Sequence, residues 1–505
     1  MPSTPYYHMW IAQIPILFFI FWFGACAGSF INVLVYRLPR GMGVVIPTSR
    51  CPSCDHKLTW KENIPILGWL VLRGKCRFCK TRISPEYPLV ESFVAVLFAS
   101  VFMLWFMDPS PFGLLGINAN AARPEWAFTS LKYVWPYFTA ILFLLGGLVA
   151  STIIDARTFT IPIIIPWIVA CIGIVGHVIS ALLVQFSPQG TLFLSDHVWT
   201  IPVHSWTWTI AALGGGLGLV LSNVLLRAKV MPMSFADYEE WEKEALAKRE
   251  AAKPRPEEPQ KLEEPEPSSD HHDLGSIIIR VLLLTGPAIL GMWIGVAIGL
   301  QSNAWKLGLA LGGGVGLVIG IVLRRFAPTP APSDDDPIWL HYPHIRRELG
   351  KEVLFILPIV ALFAGGWLLE TRVLALASTE PPLWLGALGG SLLGLLVGGG
   401  IVWAVRLIFS YAFDMEAMGL GDVHLMAGVG AVLGWVDPLL AFFIAPLFGL
   451  LWALCTPMLR TVVKKLPTAL PYGPHLAMAT VLVVLGKPGI EKLLSMITSR
   501  SIDLP

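Results

Sequence analysis

Two sets of residues in this chain have the types and spacing for chemistry: four clustered cysteines, and aspartates beside long acid-free stretches. Cys51-Pro52-Ser53-Cys54 and Cys76-Arg77-Phe78-Cys79 are two C-x2-C knuckles with 21 residues between them. Each such turn offers two thiolates to one tetrahedral ion, and the spacing is close to that of a zinc ribbon. A closed four-sulfur site leaves no position open for water, so Zn2+ bound there is structural. The competing reading is two redox pairs or unpaired thiols. Cys26, Cys171 and Cys455 fall within apolar runs and read as small core residues.

Asp155 closes one apolar run and precedes Ile161-Pro162; Asp422 sits in Gly419-Leu420-Gly421-Asp422 after another. Two carboxylates brought together share a proton and titrate in coupled steps. One can then activate water while the other, protonated, polarises a peptide carbonyl. Gly419 and Gly421 would let a substrate backbone approach where a side chain would block it. The bland reading is also open. An aspartate at a span end is usually interfacial, Asp155 could pair with Arg157, and Asp414 and Glu416 compete for the same role. Glu91 lies just inside an apolar run, where a carboxylate is expensive unless paired or functional.

The elements that must position these groups follow from composition. Of 505 residues 55% are hydrophobic and 14% charged, with a mean hydropathy of +0.67. A soluble chain carries roughly 25% charge, so this is a polytopic membrane protein in contact with lipid. A disordered chain, a disulfide-rich secreted scaffold and a coiled coil are excluded. A net charge of +2 gives no footprint for nucleic acid, and none is expected as a partner.

Spanning helices need about 20 mostly apolar residues. They are expected near 10–36, 88–106, 134–154, 161–184, 208–226, 276–300, 305–323, 352–370, 384–410, 423–435, 437–455 and 471–486. The fold class is therefore all-α: a transmembrane bundle of about 12 spans with a small zinc-ribbon-like loop domain in the cytosol. The first span is too long and lacks the cleavage site of a removable signal peptide. The stretch 423–435 is short enough to be re-entrant. Loop 37–87 holds ten Lys and Arg, whereas 185–207 holds none and 371–383 only Arg372. Placing loop 37–87 in the cytosol puts every basic cluster inside, the N-terminus outside, and both Asp155 and Asp422 at the cytosolic boundary.

Residues 237–273 carry thirteen acids and six bases among repeated prolines. Most of this stretch is expected to be disordered, with helix only over 237–250. A second, shorter loop is expected at 327–350. Ala212-Leu213-Gly214-Gly215-Gly216 is echoed by Ala310-Leu311-Gly312-Gly313-Gly314 and opens again as Ala387-Leu388-Gly389-Gly390. Duplication of one span and convergent small-residue packing faces explain these echoes equally well.

The residues then resemble a known family, the type IV prepilin leader peptidase/N-methyltransferases, which are membrane aspartic proteases. The likeness runs through Gly28-Ser29-Phe30-Ile31-Asn32-Val33, Tyr36-Arg37-Leu38-Pro39, both cysteine knuckles, Asn63-Ile64-Pro65, Gly68-Trp69 and Arg73-Gly74-Lys75-Cys76. It continues through Ile83 to Glu91, Asp155 to Pro162, Gly419 to Asp422 and Pro471-Tyr472-Gly473-Pro474. The resemblance implies that Asp155 and Asp422 are a catalytic dyad in a bacterial inner (cytoplasmic) membrane protein. The substrate would be a prepilin or pseudopilin, cut after a glycine at the cytosolic face. It also implies methylation of the new N-terminus from S-adenosylmethionine, associated with the cysteine-bearing region; a peptidase without methylation is the nearest alternative. The chain departs from the family at His424, where lysine is usual, and in length.

The expected division is 1–106 (first two spans and the four-cysteine loop), 134–207 (peptidase core with the first aspartate), 208–383 (inserted spans) and 384–490 (peptidase core with the second). Four inserted spans, an even number, keep the two aspartates on one side. Residues 251–268 hold no motif, so their deletion is expected to leave prepilin processing nearly intact. A cleavage assay on the deleted chain, expressed at its normal level, checks this.

Overall fold

The computed structural model describes residues 5–46, 48–107, 124–128, 131–187, 205–252, 342–376, 379–460 and 471–498, with the single residues 290 and 319. These are almost entirely helical: α1 (Pro5–Arg37), α2 (Glu86–Phe106), α3 (Leu131–Thr158), α4 (Ile164–Gln185), α5 (Trp206–Arg227), α6 (Tyr238–Ala252), α7 (Ile345–Leu369), α8 (Leu383–Phe413), α9 (Leu420–Leu433), α10 (Val436–Arg460) and α11 (Tyr472–Thr498). Among the described residues eight helices are long and apolar enough to cross a membrane. Apart from residues 290 and 319, the expected spans at 276–300 and 305–323 lie outside the described residues, as do 253–273 of the charged loop, 327–341, the Ala310 echo and the 251–268 deletion apart from 251–252. The helix expected over 237–250 is α6.

The chain divides into two compact units. One comprises Met1–Leu221, Pro358–Trp403 and Gly419–Pro505. Within it α1 lies along α2, α3 along α4, α4 along α9, and α10 along α11, which also packs on α3. At its centre is α9, buried along almost its whole length from Asp422 to Leu433. Fourteen residues rise only about 21 Å, less than the roughly 30 Å hydrocarbon core. This helix therefore ends among other helices, and its last carbonyls cannot find water. Side chains supply the donors instead: Ser391 Oγ donates to the Ala431 carbonyl at 2.5 Å, and His177 Nε2, 2.8 Å from the Val432 carbonyl, donates there. The Gly434 N–H closes the Gly430 carbonyl at 2.9 Å.

Small residues set how near the neighbours come. A Cβ on Gly428 would lie 2.9 Å from the Pro166 carbonyl of α4, and one on Gly173 3.1 Å from the Ala431 carbonyl of α9. Gly394 of α8 and Gly430 of α9 face each other so closely that a Cβ on either would strike the other's backbone. The Gly214 and Gly389 echoes serve the same close packing, against the Leu362 backbone of α7 and Thr209 of α5 respectively.

The second unit comprises Ser222–Leu357 and Ala404–Met418. Its described core is Tyr342, Ile345 and Leu349, covered by Phe235, Tyr238, Trp241 and Leu407. Charged groups bind it together at the start of α7. Arg347 pairs with Asp237 at 2.6 Å, Tyr342 Oη donates to Asp237 at 2.8 Å, and Lys351 reaches the buried Glu348 at 3.0 Å. Arg347 and Tyr342 hold the Asp237 carboxyl well down, at about 2.

Replacing His177 by leucine is expected to leave the Val432 carbonyl orphaned in the bundle. The loss should be about 1–3 kcal/mol, read as a lower melting temperature of the chain in detergent; Ser391→Ala should act in the same direction.

Candidate active site and metal centre

Asp155 lies in the last turn of α3 and is 4% exposed; Asp422 lies in the first turn of α9 and is 7% exposed. The chain between α3 and α4 leaves the helix through Phe159, whose φ is +55°, and its N–H caps the Asp155 carbonyl at 2.8 Å. Ile161 then turns inward, so that a Cβ on Gly421 would come 2.8 Å from its Cβ. The start of α11 completes the arrangement. The Gly473 N–H hydrogen-bonds the Asp155 carboxylate, and a Cβ on Gly473 would sit 2.5 Å from Asp155 Oδ2. Its neighbour Tyr472 is within electrostatic reach of Asp422. Ile161 thus lies against the glycine beside each aspartate, Gly421 next to Asp422 in the chain and Gly473 against the Asp155 carboxylate. Only a residue without a side chain fits at 473 or 421.

The other acids weighed from sequence are held by basic partners or by backbone. Arg157 pairs with Glu86 at 3.0 Å rather than with Asp155. Asp414 is gripped by Arg346 at 2.6 and 2.8 Å, and Glu416 by Arg406 at 2.5 Å. Glu91 accepts the Ile66 N–H at 2.6 Å and a hydrogen bond from Ser29. That bond fixes Ile66 at φ +63°, an unusual backbone for a β-branched residue. His424 packs near Trp167, ring centroids 6.1 Å apart. The contacts of Ile161, Tyr472 and Gly473 were not legible as such. Their motifs stood out in the sequence, but nothing there said which aspartate each would meet.

The four-cysteine loop folds twice in the same way. Cys51 N–H bonds the His56 carbonyl at 3.0 Å while Asp55 N–H returns to the Cys51 carbonyl at 2.9 Å. Cys76 and Thr81, with Lys80, repeat this at 2.9 and 3.1 Å. Asp55 and Lys80, each four residues after the first cysteine of its knuckle, both take φ near +60°, at +54° and +60°. The four sulfurs lie within 4.8 Å of one another, and Cys51 Sγ is 3.7 Å from Cys79 Sγ. Sulfurs about 2.3 Å from a central ion at tetrahedral corners stand about 3.8 Å apart. The cluster therefore fits one ion. A 3.7 Å separation is also well beyond the roughly 2.05 Å of a disulfide. Thr81 Oγ1 lies 3.3 Å from Cys79 Sγ, within hydrogen-bond reach of that sulfur.

Fold and site together define a polytopic helical membrane protein with a metal-ready cysteine loop and two buried aspartates at helix ends. Residues 22–105 match the Bacterial Peptidase A24 N-terminal domain, and residues 351–454 match the Type IV leader peptidase family. The chain is 52% identical over 80 residues to a prepilin leader peptidase/N-methyltransferase of Myxococcus xanthus (strain DK1622), spanning 16% of this chain and 24% of that protein. Similar proteins of the same name are 43% identical over 95 residues in Klebsiella pneumoniae and 39% over 116 residues in Aeromonas hydrophila. Those matches span 17% and 18% of this chain and 42% and 40% of the relatives. The chain thus spans less than half the length of these relatives. No solved structure matches it significantly. The family resemblance carried by the motifs is borne out. Asp155, Ile161 and the Tyr472–Gly473 turn fall outside both matched segments, so their convergence is a finding of the structure.

The purified chain should carry about one tightly held ion, measured by elemental mass spectrometry. Replacing Cys51 and Cys76 together by serine should remove it; metal retained in that variant would refute the site.

Proposed function

We propose that this protein is an intramembrane aspartic endopeptidase that removes the basic leader of type IV prepilins or pseudopilins, with Asp155 and Asp422 as its catalytic pair. The observation that carries the reading is that Ile161 packs against both Gly421, next to Asp422 in the chain, and Gly473, which stands against the Asp155 carboxylate. In this reading the two aspartates hold one proton between them. The ionised member takes a proton from water as it attacks the scissile carbonyl; the protonated member donates a hydrogen bond to the carbonyl oxygen and then to the tetrahedral intermediate. Gly473 N–H keeps the Asp155 carboxylate aimed, and Gly419 and Gly421 leave room for the substrate backbone.

An apolar groove of about 700 Å³ supports the substrate class. It is lined by Leu89, Phe93, Leu148, Thr152, Ala477 and Met478 among others, and starts one turn from Asp155 on α3 and from Gly473 on α11. The apolar helix of a prepilin would lie along it, with the cleavage point at the aspartates. Activity would sit at the cytosolic face of the bacterial inner membrane, the N-terminus outside, as the basic loops require.

Zinc is the ion proposed for Cys51, Cys54, Cys76 and Cys79, in a structural role. The names of the relatives also carry N-methylation. S-adenosylmethionine would supply the methyl group, and the work would fall to residues 1–106. There the bonds of Ser29 and Ile66 N–H to Glu91, and of Asn32 Nδ2 to the Tyr87 carbonyl at 3.1 Å, gather the motifs of that region.

Asp155→Asn and Asp422→Asn are each expected to lower cleavage of a purified prepilin by at least about 10³-fold, because asparagine keeps shape but cannot exchange the proton. Asp414→Asn should stay within about threefold, since its ion pair is half exposed and worth little. A gel-shift assay with mass detection of the new N-terminus reads both cleavage and methylation, and a fully active Asp155 or Asp422 variant would end the peptidase reading.

A further inference from the structure

Residues 414–418 lead directly into Gly419-Leu420-Gly421-Asp422, and the last three of them are tied down inside the second unit. The Ala417 N–H donates to Ser410 Oγ at 3.0 Å. Arg406 Nη1 donates both to Glu416 Oε1 at 2.5 Å and to the Met418 carbonyl. The rest of the same guanidinium is spent on Glu352: Nη2 to Oε1 at 2.9 Å, and Nε to the two oxygens at 3.4 and 3.3 Å. Arg406 is 1% exposed and Glu352 2%. A buried arginine is costly unless its charge and its donors are matched. Here two carboxylates and a carbonyl meet one planar fork, a task that a lysine ammonium cannot perform at three separate points.

What keeps this fork dry comes from the segment between the two aspartates. The Phe235 ring lies 5.6 Å from the Arg406 guanidinium. Phe235 is held from behind by its own N–H on Glu348 at 2.5 Å and by the rings of Tyr238 and Tyr342, 6.4 and 5.7 Å away. Trp241 closes the set against Tyr342 at 5.1 Å. Phe235 takes a φ of +56°, so backbone as well as side chain is committed to this seat. Phe235, which belongs to the inserted stretch 208–383, thus covers Arg406.

We propose that Arg406 is a positioning residue for Asp422, fixing the carbonyl of the residue before Gly419 and hence the direction in which the chain enters that turn. The aromatic cluster of the inserted segment, Phe235 with Tyr238, Trp241 and Tyr342, sets how firmly it does so. The inference rests on the reading of Asp422 as a catalytic aspartate. It adds that the insert takes part in activity through this aromatic cluster, while residues 251–268 do not. A purely structural ion cluster would instead affect how much chain folds and leave the rate of each folded molecule alone.

The test uses the full chain in detergent, as wild type, Arg406→Lys, Phe235→Leu and Asp414→Asn, each confirmed folded by its melting temperature. Hydrogen exchange of the 414–424 peptide and kcat and KM on a prepilin are then measured. Arg406→Lys should speed exchange at 419–422 by about tenfold or more and lower kcat by about 10–100-fold with KM within about twofold, since small misplacements of a catalytic group cost this much. Phe235→Leu should do the same more weakly, and it carries the test if Arg406→Lys fails to fold. Wild-type exchange and kcat in both variants would overturn the proposal. So would faster exchange with an unchanged kcat, or an equal fall in Asp414→Asn. No cleavage by the wild-type chain would overturn the peptidase reading, and this inference with it.

Discussion

The architecture around Asp422 depends on a helix that stops inside the membrane region. Helix α9 is too short to cross, is buried along its length, and presents its final carbonyls to the interior of a bundle. Such an end is tolerable only if other helices bring donors to it, and only if they come close enough to leave no void. Ser391 and His177 supply the donors, and glycines at 173, 394, 428 and 430 supply the approach. Once that is satisfied, the first turn of α9 is set by the rest of the bundle, and Asp422 is carried with it.

The same economy of small residues operates at the other end of α9. Gly421 admits Ile161, and Gly473 admits the carboxylate of Asp155. Two glycines distant in sequence thus let a linker and a helix start close over the aspartates, where any Cβ would hold them apart. The carboxylates are buried but not walled in. An apolar groove opens one turn away, lined by side chains of α2, α3, α10 and α11.

The cysteine loop follows a different logic. It has little apolar surface to bury, and its hairpin-like knuckles are held by pairs of backbone hydrogen bonds around residues at positive φ. The four sulfurs, all within 4.8 Å of one another, stand where one ion could tie the two knuckles together. It is joined to the bundle through Glu91, whose carboxylate inside α2 reaches out to the loop backbone at Ile66. The expense of a carboxylate within a span is thereby offset by a bond that orients the whole loop.

Much was legible in the sequence, because the signals were local. Apolar runs of spanning length, the charge asymmetry of loops, and the C-x2-C repeat each reflect constraints that act within twenty or so residues; most described helices start within a few residues of those signals, although α7 begins seven residues early and α11 runs to Thr498 rather than 486. The two aspartates stood out for the same reason, as rare charges at the ends of apolar runs. What the sequence could not contain was who meets whom across hundreds of residues. Asp155 was adjacent to Arg157 in the chain, yet that arginine turns to Glu86 while the aspartate turns to Gly473. Asp414 and Glu416 looked as able as Asp422 until arginines from α7 and α8 claimed them. Helix pairing decided each of these outcomes, because a side chain's partner is set by the backbone brought within a few ångströms of it, and in this bundle glycines govern that approach.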